Sequence, residues 1–288
     1  MSRNVLHTIQ ANMGNFSKGQ KRIAAFILEN YDKAAFMTAS RLGKAVSASE
    51  STVVRFATAL GFDGYPSMQR DLQEMIRTKL TSIQRIQASG ERFQNGDVLE
   101  TVMQADVNKL HQAIERADRE EFDRAVDKLL RAKHIYILGA RSSTFLAGYM
   151  NFYFRNLFDN VVLIQDSSAG SILEQLMRIG PGDVIIGITF PRYSNSTATA
   201  IQFAHDRGAE VIAITDSELS PLCRYACAAI MVQCEMISFV DSMVAPLSMI
   251  NALIVAVGHR KNKDLSLNFT KLERIWEDYG VFERIDHE

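Results

Sequence analysis

Five short β-rich runs, "HIYILG", "NVVLIQ", "DVIIGIT", "EVIAIT" and "AAIMVQ", follow one another between residues 134 and 233 with helical patterns between them. Strand and helix in strict alternation imply a parallel sheet covered by helices on both faces, so this half of the chain is expected to be a three-layer α/β domain with a five-stranded parallel sheet. In such folds ligands sit beyond the carboxyl ends of the strands, where the strand order reverses. With the flavodoxin-like order 2-1-3-4-5 as the expectation, strands one and three are neighbours and their following loops share one crevice.

Both loops carry hydroxyls and an arginine. The first strand runs into "GARSSTFLAGYM", where Gly139 permits a tight turn, Arg141 follows, and Ser142 and Ser143 open a helix. The third runs into "TFPRYSNSTATA", where Thr189 and Arg192 precede Ser194, Ser196 and Thr197 at the next helix start. Free N–H groups and a partial positive charge at a helix start, joined by hydroxyl donors and a guanidinium, make a cradle for a phosphate monoester. Serine and threonine are also the commonest N-caps, so one such loop is ordinarily capping; two on one sheet edge point to a ligand.

Residues 1 to about 80 show only helical periodicity. "FSKGQKRIAAFILENY" places Ile23, Phe26, Ile27 and Tyr31 on one side with Ser17 as N-cap. "TASRLGKAV" is a short helix starting near Thr38 or Ser40, with Ala39, Leu42 and Val46 turned inward. "SASE", Ser47 to Glu50, reads as a capping box whose cap is Ser47, and the helix it opens ends at Gly61. Two short helices so closely joined form a helix-turn-helix. In the second, Val53, Phe56, Ala57 and Leu60 share the inner face, while Ser51, Arg55 and Thr58, flanked by Thr52, share the outer one. A small, polar outer face with one arginine suits the major groove. Charge agrees: residues 1–90 carry 12 Lys+Arg against 6 Asp+Glu, a net of +6, whereas the remainder carries 20 against 27, a net of −7. A basic front on an acidic body favours a polyanionic partner.

The stretch Thr38 to Leu72, "TASRLGKAVSASESTVVRFATALGFDGYPSMQRDL", resembles the DNA-binding domain of RpiR-type bacterial transcriptional regulators in its "S-x-S-T-V-x-R-F" core and "L-G-F-x-G-Y" exit. "IYILGARSSTFLA" and "GITFPRYSNSTATAIQFAHDRGAEVIAITDSELSPL" resemble a sugar isomerase (SIS) domain, which in these regulators binds a phosphosugar. The resemblance spans nearly the whole chain and implies a cytoplasmic regulator of sugar metabolism, not an enzyme, with double-stranded operator DNA and a phosphorylated sugar as partners. It further implies a homodimer or homotetramer, with no cofactor and no membrane partner. The expected division is a helix-turn-helix domain at 1–88, a helical linker at 89–118 with the boundary near 88–97, and the SIS domain at 119–288. Expected DNA contacts are Lys44, Ser49, Ser51, Thr52, Arg55 and Thr58; expected ligand contacts are Arg141, Ser142, Ser143, Thr189, Arg192, Ser194, Ser196 and Thr197. One departure stands out: SIS domains commonly show S-x-S-G-x-T after the third strand, whereas here Thr189, Ser194 and Thr197 take those places with two extra residues and no glycine. The longer loop, with Arg192, reshapes the pocket or favours an acidic ligand. The alternative reading, a sugar-phosphate isomerase with an accessory helical domain, needs a positioned base near the substrate carbon, and the sequence offers none.

Other features are assigned to structure. Cys223, Cys227 and Cys234 match neither a disulfide framework nor a metal spacing and read as buried thiols in a reducing cytosol. The N-terminus lacks a signal-peptide pattern, and no apolar run is long enough for a bilayer. His205 reads as a solvated helix end and Glu174 as a surface residue. "FVDSMVAPLSMINALIVAVGH", 239–259, reads as one helix buried between subunits, and Met243, Met249 and Trp276 as packing.

Overall fold

A computed structural model of the chain describes residues 5–77, 81–90, 97–165 and 168–282. It divides into two compact units, one of residues 1–102 with 236–241, the other of residues 103–235 with 242–288. The boundary expected near 88–97 falls largely on residues 91–96, outside the described residues.

The first unit is helical: α1 (Val5–Ala11), α2 (Lys18–Glu29), α3 (Tyr31–Ala34), α4 (Ala39–Ala45), α5 (Glu50–Ala59), α6 (Tyr65–Arg77) and α7 (Ser82–Gly90), with α8 (Val98–Arg116) running on into the second. Ser17 caps α2 in a full capping box with Gln20, and Thr38 caps α4 by accepting from the Arg41 N–H. Ile23, Ile27, Leu42, Val53, Phe56 and Leu72 form its buried core. Gly61 closes α5 at a φ of 85°: its N–H bonds the Thr58 carbonyl and the Phe62 N–H bonds that of Ala57, the paired pattern of a glycine-ended helix. α6 then clamps the end of α3, where Tyr65 Oη donates to the Met37 carbonyl at 2.7 Å and Gln69 and Gln73 donate to the Ala35 carbonyl. Burial pushes the Tyr65 hydroxyl up to about 12. Residues 236–241 join this unit through Met236, packed on the helical core, and an ion pair between Arg85 and Asp241 at 2.8 Å.

The second unit places β1 (Ile135–Gly139), β2 (Val161–Ile164), β3 (Val184–Ile188), β4 (Glu210–Thr215) and β5 (Ala228–Met231) in one parallel sheet of order β2-β1-β3-β4-β5, as expected. Side chains alternate between its faces. Ile135, Ile137, Val184, Ile186 and Ile212 pack against α9 (Arg119–Arg131), α10 (Ser143–Leu157) and α13 (Val244–Arg260). Tyr136, Leu138, Ile185 and Val211 pack against α11 (Ala169–Gln175) and α12 (Asn195–Asp206). A short ladder, β6 (Glu235–Met236) with β7 (Asp241–Ser242), and a last helix, α14 (Asn262–Asp278), follow β5.

Two expectations change here. The apolar stretch 239–259 is not one helix: α13 starts at Val244, because Asp241 and Ser242 lie in the β6–β7 ladder. Its Ile250, Leu253 and Val257 face the chain's own core, while Val255 is 68% exposed. Of the cysteines only Cys234 is buried; Cys223 and Cys227 are half-buried, and burial with the nearby Asp216 and Glu218 carboxylates pushes the Cys223 thiol up to about 11.

Candidate functional site

Two sites follow from the sequence, one in each unit. In the helical unit, α4 and α5 meet across a tight turn. Gly43 is required there: a Cβ would lie 2.8 Å from the Ala48 carbonyl oxygen, so any side chain would push the turn off α4. Ser47 sits in the left-handed region at a φ of 52°, and Arg22 of α2 donates to its carbonyl at 2.7 Å. The expected cap is therefore displaced by two residues. With Ser47 turned into the left-handed region, Ser49 is the residue with extended backbone before α5, and its Oγ accepts from the Thr52 N–H.

The exposed side of α5 is that expected, with one addition. Ser51, Arg55 and Thr58 are exposed, and so is Val54, whose branched methyls stand among them. A methyl on this face matches the thymine C5-methyl as an arginine matches guanine. Arg55 Nε donates back to the Ser51 carbonyl at 3.3 Å, which aims the rest of the guanidinium along the exposed face. Thr58 Oγ1 donates to the Val54 carbonyl, and Ser49, Ser51 and Thr52 share short hydroxyl contacts at the helix start. Lys44 is exposed in the last turn of α4.

In the sheet unit, β1 and β3 are paired, so the loops that follow them lie on adjacent strand ends. Gly139 ends β1 because α10 starts against it: a Cβ would meet the Ser143 carbonyl oxygen at 2.4 Å. Arg141 then takes a φ of 56° and, in the longer loop after β3, Arg192 takes a φ of 70°. Each left-handed arginine costs of order 1 kcal/mol or more, a cost that recurs where a loop is shaped for a ligand. Ser142 occupies the cap position of α10 but makes no side-chain capping bond, so its exposed hydroxyl is not spent on the helix. Ser143 is buried.

After β3, Thr189 is buried with its N–H on the Ile214 carbonyl. Ser194 caps α12 by accepting from the Thr197 N–H, and its Oγ lies 2.7 Å from Ser196 Oγ. Thr197 is fully buried, and its Oγ1 has no hydrogen-bond partner among the described residues. A hydroxyl in that condition costs roughly 1 to 3 kcal/mol unless something else bonds it. One feature escapes the sequence reading: Tyr193 Oη donates to Asp216 Oδ1 at 2.9 Å, tying the long β3 loop to the end of β4. Only the pairing of β3 with β4 brings these residues, 23 apart in the chain, together. His205 and Glu174 are exposed on α12 and α11. Among the described residues no helix is long and apolar enough to cross a membrane.

Comparison with known proteins finds two family models along the chain. Residues 3–79 match the model of the helix-turn-helix domain of the rpiR family, and residues 128–256 match that of the SIS domain. The chain is 28% identical over 230 residues to an uncharacterized HTH-type transcriptional regulator of Haemophilus influenzae, covering 78% of each. It is 28% identical over 232 residues to the HTH-type transcriptional regulator HexR of Escherichia coli, covering 79% of this chain and 77% of that one. Among solved structures, the Vibrio vulnificus NanR protein complexed with ManNAc-6P matches with a TM-score of 0.60 at 19% identity, over 98% of this chain and 100% of that chain. At that identity the likeness establishes the fold.

Proposed function

The chain belongs to the RpiR type, an rpiR-family helix-turn-helix domain followed by a SIS domain, and on that premise we propose that it is a transcriptional regulator of sugar metabolism whose operator binding is set by a phosphorylated sugar. In this reading Arg55 pairs with a guanine edge in the major groove, and Ser51, Val54 and Thr58 line the same groove. Lys44, Ser49 and Thr52 hold the adjoining backbone. The phosphate of the effector sits between the two loops: Arg141 and Arg192 supply charge, Ser142, Ser143, Ser194 and Ser196 supply donors, and Thr189 shapes the floor. A two-fold assembly, dimer or tetramer, would present two α5 helices to a palindrome with half-sites about one or more helical turns apart.

The observation that carries the ligand site is the Thr197 hydroxyl, buried and without a partner among the described residues at the start of α12. A phosphate oxygen would give it an acceptor. NanR of Vibrio vulnificus, whose fold this chain shares, was solved with a phosphorylated amino sugar, which supports the ligand class. The reading is tested by thermal shift of the full chain against hexose, pentose, amino-sugar and sugar-acid phosphates and their unphosphorylated counterparts. One phosphorylated compound is expected to raise the melting temperature in a dose-dependent way while its unphosphorylated counterpart does not. Equal shifts from both forms would remove the phosphate cradle.

A further inference from the structure

Beside α5 lies a second basic surface, outside the residues assigned so far. The start of α2 is fastened to α5 and its turn at three points. Phe16, just before α2, packs against Phe56 of α5 with ring centroids 5.0 Å apart. Gly19 lies so near that a Cβ would meet Thr52 Cγ2 at 3.3 Å. Arg22 holds the Ser47 carbonyl of the turn. The first two turns of α2 are thus immobilised alongside the first turn of α5, and on them Lys18 and Lys21 are exposed. The buried side of the same helix, Ile23, Ala24 and Ile27, faces the core, so neither lysine can swing inward.

Packed helices lie about 8–10 Å apart, and the major groove is about 12 Å wide. A helix packed along the flank of the groove helix, as the Gly19 approach to Thr52 places α2, has the spacing to stand over the sugar-phosphate strand bordering the groove, within reach of a lysine. We infer that Lys18 and Lys21 contact backbone phosphates next to the α5 half-site, positioning α5 without reading sequence. This rests on α5 being the groove helix. Arg22, which gives one of its N–H groups to the Ser47 carbonyl, is kept unchanged in the test so that the turn stays intact.

The test is the salt dependence of operator binding by the full chain, measured by anisotropy for the wild type, Lys18→Gln/Lys21→Gln and, as a control, Lys33→Gln on α3. Each lost phosphate contact lowers the slope of log K against log salt by about 0.9, so the double variant is expected to lose about 1.8. Operator affinity near 0.1 M salt then falls by on the order of tens-fold, with the ratio of operator to scrambled-DNA affinity unchanged and Lys33→Gln like wild type. An unchanged slope in the double variant, beside a wild type that discriminates its operator, overturns this inference alone. An equal loss in Lys33→Gln overturns it too, as an effect of bulk charge. A wild type that does not discriminate operator from scrambled DNA overturns both this and the groove role of α5.

Discussion

Replacing Thr197 by valine separates what the fold needs from what the ligand needs. Valine has the shape of threonine and the same stiff branched side chain, so it fills the same fully buried space at the start of α12. What it removes is a buried hydroxyl with no partner among the described residues. Relief of that desolvation is worth about 1 to 3 kcal/mol, and for a unit of about this size each kcal/mol raises the melting temperature by roughly 2–4 °C. The ligand-free protein should therefore melt higher than wild type. The same substitution deletes a hydrogen bond to a charged phosphate, worth about 1.5–3 kcal/mol, so the phosphosugar should bind roughly 10- to 150-fold more weakly. Calorimetric melts and titrations of wild type and variant read both quantities. A variant that melts lower, or that keeps wild-type effector affinity, refutes the reasoning, because the hydroxyl would then have a structural partner and no ligand role.

Further outcomes follow from other residues. Arg55→Ala is expected to weaken operator binding by on the order of 1 to 3 kcal/mol and to relax discrimination at one base pair, read by anisotropy on single-substituted operators; uniform weakening on every sequence would make Arg55 a backbone contact. Gly43→Ala gains helix propensity of about 1 kcal/mol but forces a Cβ to 2.8 Å from the Ala48 oxygen; the clash is expected to win and to lower both melting temperature and operator affinity, and a more stable variant with normal binding would contradict it. With its pKa raised to about 11, Cys223 should alkylate more slowly near pH 8 than an unperturbed thiol, by on the order of tenfold once the greater nucleophilicity of the less acidic thiolate offsets its lower population. For the same reason, stability present below pH 9 should fall as pH rises from 9 toward 11, and Cys223→Ala should flatten that fall in alkaline melts.

Local pattern was enough wherever a feature depends on neighbours in the chain. Apolar runs and their spacing marked all five strands, and periodicity placed Val53, Phe56 and Ala57 inside and Ser51, Arg55 and Thr58 outside on α5. It failed where a residue's conformation is set from a distance. Ser47 looked like the cap of α5, but a left-handed turn held by Arg22, 25 residues earlier, moves the cap to Ser49. Phe239 to Asp241 looked like the first turn of an apolar helix, but Asp241 pairs with Arg85, 156 residues earlier, and the helix waits until Val244. The tie between Tyr193 and Asp216 depends on two strands being neighbours, and no window along the sequence contains it. In the loop after β3 the residue types are legible from the sequence; which hydroxyl caps α12 (Ser194) and which has no partner among the described residues (Thr197) is not.

The central claim is that one chain joins an operator-binding helix to a phosphosugar site, and reciprocal linkage tests it most directly. The dissociation constant for operator DNA is measured with and without saturating effector, and that for effector with and without saturating operator, on the same intact protein. DNA binding is expected to depend on sequence and to shift by some factor with one phosphorylated sugar, with an equal factor in the reverse experiment. Operator affinity that no phosphosugar changes, although one binds, would contradict it.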